Sequence, residues 1–139
     1  MAVEADFLRR YDQAQIAAGR GGGDSALRHL TSWKGFVEAC AEGYDDVISE
    51  YFEDLSVRDA IECGLAEASL RELAGYEEYS RAVQAVDARF REIATVPIPL
   101  AHPEKFSWWH HVVPRAGGEE FAADLKRHFG VTIGIVGSG

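Results

Sequence analysis

YEEYSRAVQAVDARFREI, residues 76–93, is the stretch on which the fold turns. Tyr76, Tyr79, Val83, Val86, Phe90 and Ile93 recur at gaps of three and four, the spacing that puts apolar side chains on one face of a helix. A seam this short does not stand alone in water, so it predicts the core of a bundle rather than an intermolecular coiled coil. Ser69 to Glu72 has the Ser-x-x-Glu form of a capping box and marks the expected start of this helix. Pro97 and Pro99 mark its end, because proline lacks the amide that a helix needs and restricts the residue before it.

Toward the N-terminus, residues 3–18 carry Phe7, Tyr11, Ala14 and Ala18 as one stripe, and Gly21, Gly22 and Gly23 end that helix in a flexible turn. The glycine run lacks the GxxxxGK[ST] context of a phosphate-binding loop. A second helix is expected from Asp24 or Ser32 to Gly43, through Trp33, Phe36, Val37 and Cys40. From Tyr44 to Leu55, apolar residues at helical spacing alternate with acids, predicting a third, amphipathic helix with an acidic outer face. Ser56 reads as the N-cap of a separate short helix bearing Val57, Ile61 and Leu65, with Asp59 in its first turn.

Toward the C-terminus, Pro103 continues a proline-containing connection, and Phe106 to Val113 reads as an extended segment lying across the helices. Glu119 to Phe129 predicts a last helix with Phe121, Ala122, Leu125 and Phe129 on one side and Lys126, Arg127 and His128 in its final turn, closed by Gly130. Residues 131–139 read as a terminal strand or a flexible tail. The expected fold is therefore all-α, a bundle of four to six helices forming a single acidic domain over residues 1–139.

Composition bounds the function. The chain has 139 residues, about one domain's worth, and 47% of them are hydrophobic, enough to close a core without disulfides or metal. No apolar run approaches the roughly 18 to 20 residues of a membrane helix, and MAVEADFLRRYDQ lacks the basic start and apolar stretch of a signal peptide, so a cytoplasmic protein is expected. Formal charge is −9, and thirteen acids against two arginines give residues 38–78 a net of −11. A surface of that sign repels nucleic acid and membrane phosphate but attracts a basic protein partner. Glu42, Asp45, Asp46, Glu50, Glu53 and Asp54 are the candidate partner-binding residues; the competing reading is that they merely solvate helix faces.

Catalytic chemistry is harder to place. Pairs of these acids three or four apart share a helix face, which suits a hard cation or an acid and base, but no EF-hand loop accompanies them. Cys40 and Cys63 are too far apart for a CxxC pair and read as buried thiols. His110 and His111 are adjacent, so they point to different sides and make no metal clamp; neither HExxH nor Glu-x-x-His occurs. No catalytic residue, metal or cofactor is expected. Trp108, Trp109, His110, His111 and Arg115 form the alternative candidate site, for a small ligand or an enzyme's substrate, or else a plug that seals the helices.

Trp33-x-x-Phe36-Val37-Glu38 with Glu42-Gly43-Tyr44, Tyr51-x-x-Asp54-Leu55-Ser56-Val57-Arg58, Trp108-Trp109 before Pro114-Arg115, and Glu119-x-x-Ala122-Ala123-Asp124-Leu125 together resemble a set of short actinobacterial proteins with no assigned activity. The resemblance spans residues 32–127 and implies a folded family; its motifs are structural and carry no catalytic residue across. The favoured expectation is a non-enzymatic inhibitor, immunity or antitoxin-type protein that covers a basic site on its partner.

Overall fold

A computed structural model describes residues 4–21, 23 and 25–136. The fold is all-α, with about two thirds of the described residues helical. The described helices are α1 (Ala5–Ala17), α2 (Ser25–Glu42), α3 (Ile48–Leu65), α4 (Tyr76–Ile93) and α5 (Glu119–Phe129). Short strands β1 (Val96–Pro97), β2 (Val112–Val113), β3 (Ala116–Gly117) and β4 (Gly134–Ile135) join them. The expected helix start at Asp24, the turn residue Gly22 and the tail residues 137–139 lie outside the described residues.

The chain divides into two compact units, residues 1–34 with 56–87 and residues 35–55 with 88–139, and α2, α3 and α4 contribute to both. In the first unit, Phe7, Tyr11, Trp33, Ile61, Leu70, Tyr79 and Val83 are buried. The α1 stripe departs from expectation after Tyr11: Gln15 takes the buried position, while Ala14 is half-buried and Ala18 exposed. The reason is a hydrogen bond, since Gln15 Nε2 donates to the carbonyl of Ala60 at 2.8 Å.

Two expected boundaries are corrected. Ser56 does not start a new helix: α3 runs without a break from Ile48 to Leu65, because Tyr51, Leu55, Arg58 and Ile61 keep one continuous buried face at helical spacing. The Ser69 capping box does not open α4 either. Ala68–Leu70 forms a single 3₁₀ turn capped by Glu67, and the chain reaches α4 through Gly75 at φ +97°, a left-handed conformation that glycine adopts without strain. Within α4 the seam holds at Tyr79, Val83, Phe90 and Ile93, but Val86 is only half-buried and Asp87 is buried beside it.

The second unit is built on aromatic rings. Phe36, Tyr44, Tyr51, Phe90 and Phe121 are all buried, and Tyr51 lies with its ring centroid 5.3 Å from Phe36 and 4.9 Å from Phe121. β1 and β2 pair antiparallel with Val96 opposite Val113, and β3 and β4 pair parallel with Ala116 opposite Gly134. Tyr44 adds an isolated parallel bridge to Gly117. The tail from residue 131 is thus a strand at Gly134–Ile135. Helix α5 ends as expected at Gly130, whose φ of +67° lets its amide satisfy the carbonyl of Lys126 at 3.0 Å.

Candidate functional site

The acidic candidates all belong to the second unit. They are not on one helix. Glu42 is the last residue of α2, Asp45 and Asp46 occupy the turn after Gly43 and Tyr44, and only Glu50, Glu53 and Asp54 lie on α3. The expected helix from Tyr44 to Leu55 is therefore shortened at its start. Tyr44 is fixed in extended pairing, with its carbonyl accepting from the Gly118 amide at 2.8 Å. The side chain of Asp124 on α5 takes the Ile48 amide at 3.0 Å and caps α3 from outside its own sequence.

All six acids are exposed. Asp46 accepts from the neighbouring Val47 amide at 2.7 Å, and Asp54 accepts from the Tyr44 hydroxyl at 2.7 Å. None of Glu42, Asp45, Asp46, Glu50 and Asp54 has an ion-pair partner among the described residues. Nor does the local sequence offer one, since no Lys, Arg or His occurs between Lys34 and Arg58. Burial, with the H-bond and charge of Asp54 adding to it, drives the Tyr44 phenol well above its ordinary range. Burial, reinforced by the same carboxylate, does likewise for the Cys40 thiol, which leaves that cysteine without thiolate character.

Of the candidates in the aromatic cluster, Trp108, Trp109 and His110 stay together while Arg115 does not join them. Trp108–His110 forms a 3₁₀ turn rather than extended chain, held by the amides of His110 and His111 on the carbonyls of Ser107 and Trp108, both at 3.0 Å. Within the turn the rings stay in contact, Trp108 edge-on to Trp109 at 5.6 Å and Trp109 6.2 Å from His110, but they face different surroundings. Trp109 is buried, whereas Trp108 lies on α4, its ring 6.1 Å from that of Phe90 and 3.8 Å from the Arg91 guanidinium. His111 Nε2 bonds the Phe106 carbonyl at 3.0 Å. His110 lines an apolar hollow of about 280 Å³ with Phe52, Leu100, Phe106 and Phe129, and neither tryptophan reaches it. Arg115 lines a different cavity.

Besides Asp124, buried polar residues that the sequence pattern passed over lie in the first unit. Asp87, 5% exposed, accepts from Arg58 Nε and Nη2 at 2.9 Å each and from Trp33 Nε1 at 3.0 Å. Arg58 Nη1 reaches Glu62 at 3.0 Å. Burial alone would lower the Arg58 pKa, but hydrogen bonding and charge from Asp87, supported by Glu62, hold it above its ordinary value. The signal for Asp87 was its position, four residues after Val83 and three before Phe90, on the seam itself.

Among the described residues no group of three or more His, Cys, Asp or Glu is placed to hold a metal ion. No helix among them is long and apolar enough to cross a membrane. No family model, characterised protein or solved structure matches the chain. Fold and surface together describe a small helical protein whose second unit carries an exposed acidic face.

Proposed function

We propose that the protein is a non-enzymatic acidic interaction protein, of the inhibitor, immunity or antitoxin kind, whose face from Glu42 to Asp54 covers a basic site on a protein partner. The observation that carries this reading is six exposed carboxylates within thirteen residues, in a stretch without a single cation. Arg58, the first cation after that stretch, is buried on Asp87 and supplies no positive charge to the surface. Exposed charge of one sign raises the encounter rate with a partner of opposite sign and rejects partners of the same sign. The test is to capture the partner from native cytosol and measure association with Glu50→Lys/Glu53→Lys. The reversal should slow association about ten-fold at low salt with the fold unchanged, and the difference should shrink at high ionic strength. Association indifferent to both the reversal and salt would defeat the reading.

The hollow around His110 supports a second reading, a small-molecule site in the aromatic cluster. Its walls are almost wholly apolar, and its size suits a single ring or a short chain. Saturable binding of indole that is lost in Phe106→Ser would favour this reading, because Phe106 is already 46% exposed and its loss leaves the core in place.

A further inference from the structure

A second cavity of about 190 Å³ lies in the second unit, and among the described residues its charged lining consists of two arginines. Arg89 comes from α4 and Arg115 from the segment between β2 and β3; Cys40, Ile93 and Val136 supply apolar wall. Among the described residues no Asp or Glu lines it. That composition runs against its surroundings, since this unit holds twelve acids and six lysines and arginines.

Neither guanidinium is fully engaged. Arg89 Nε lies 3.4 Å from Glu38, at the long limit of a hydrogen bond, and its Nη1 is 3.9 Å from Glu92. Arg115 is exposed and has no ion-pair partner among the described residues, although its backbone is fixed, its carbonyl accepting from the Gly134 amide at 2.8 Å. The wall opposite is equally determined. The Val136 amide bonds the Gly117 carbonyl at 2.9 Å, and the Val136 side chain sits over Gly43, where any Cβ would collide with it and where φ is +108°. The cavity is thus a built feature with half-apolar walls and two donor groups whose planar forks match an oxyanion.

We propose that this cavity binds a compact oxyanion, a short carboxylate or a phosphate, between Arg89 and Arg115. Cys40 lies in the last turn of α2, with Gly43 directly after it, and Arg89 and Ile93 lie at the C-terminal end of α4, where helix carbonyls carry about half a negative charge each. Glu38 and Glu92 offset the Arg89 charge in part, so Arg115, which has no ion-pair partner among the described residues, supplies the positive charge left for a ligand. The proposal is independent of the acidic face and of the hollow at His110.

The ¹⁵N-labelled protein would be titrated with sodium butyrate and, separately, sodium phosphate at pH 7, with ionic strength held constant by sodium chloride. Saturable shifts should concentrate at the amides of Arg115, Ala116 and Val136 and at the Nε–H groups of Arg89 and Arg115. Arg115→Gln, at an exposed position that leaves the fold intact, should weaken binding about ten-fold, and Arg89→Gln should do the same. Tighter binding of butyrate would assign the apolar wall to a carboxylate's chain, and tighter binding of phosphate would assign the site to charge alone. Arginines that only offset the carbonyl ends of α2 and α4 would leave both titrations flat. Flat or linear responses, or equal affinity in wild type and Arg115→Gln, would overturn the proposal.

Discussion

The two units solve the problem of a small core differently. The first buries Asp87, Arg58 and Gln15 among its apolar side chains, and its largest rings are tied down by their polar tips: Trp33 to Asp87, Tyr79 to the Ala26 carbonyl, Tyr11 to His29. The second buries Phe36, Tyr51, Phe90 and Phe121 ring against ring; its tyrosine hydroxyls reach Asp54, from Tyr44 at 2.7 Å, and the Val112 carbonyl, from Tyr51 at 3.3 Å, and its buried carboxylate, Asp124, caps α3. Directional bonds fix which side chain goes where but leave a costly orphan when one partner is lost. Ring packing loses in proportion to the volume removed. The same chain therefore holds one core that fails abruptly and one that fails by degrees.

The largest test of this contrast is Asp87→Ala, which strands a buried guanidinium and the Trp33 N–H; denaturant unfolding should register a loss of about 3 to 5 kcal/mol. Replacing both charges, as Arg58→Met/Asp87→Leu, should recover much of it, because the orphan is removed along with its partner. Equal losses in the single and double variants would make this core an ordinary volume-filled one. In the second unit Phe90→Ala should cost about 3 to 5 kcal/mol through the cavity it leaves, while Phe90→Leu should cost clearly less. An abrupt loss in Phe90→Leu would erase the distinction from the other side.

Smaller effects sharpen it. Gly64→Ala should destabilise by about 1 to 3 kcal/mol even though alanine favours helices, since the new Cβ would run into the Tyr11 ring. Tyr79→Phe should cost about 1 kcal/mol and Tyr51→Phe less, in keeping with their 2.7 Å and 3.3 Å bonds. Acid gives the finest separation. Burial, aided by the charges of Arg28 and Arg20, lowers the His29 pKa, so the folded protein resists a proton that the unfolded chain takes up below about 6.5. Stability should therefore fall as pH drops from there through the folded value, and His29→Gln should remove this step. In the second unit the Ile48 amide, together with Arg127 and His128, holds the Asp124 pKa below its ordinary 3.8 against the opposing effect of burial. That contribution is complete above pH 4 and is lost as pH falls further, a limb that Asp124→Asn should flatten.

Much of this was legible from periodicity. The α4 seam, α5 with its basic last turn and the glycine after it, and the acidic stretch around Asp46 all follow from spacing and charge order. The errors have one source. Ser56 and Ser69 carry the chemistry of helix starts, yet local chemistry yielded to the continuous face of Tyr51, Leu55, Arg58 and Ile61 in one case and to the turn at Gly75 in the other. Gln15, Arg58 and Asp87 look like outer-face residues by type and are core residues by position, four after Tyr11, three after Leu55 and four after Val83. Their partners are 45 and 29 residues away along the chain, which no local pattern contains. The arginine-lined cavity was invisible for the same reason: Val136 comes beside Arg115 through the pairing of β3 with β4, and Arg89 joins them from α4.

That pairing also sets an order of events at the ribosome. Every residue of the first unit has been synthesised once Asp87 is added. Tyr44, by contrast, waits for Gly117, and the other edge of β3 has no neighbour until Gly134 and Ile135 emerge. Contacts this distant pay their loop-closure entropy late. A nascent chain stalled short of Gly134 would present an unfilled strand edge beside its acidic segment, and so would meet chaperones and proteases in a form that the finished protein never shows.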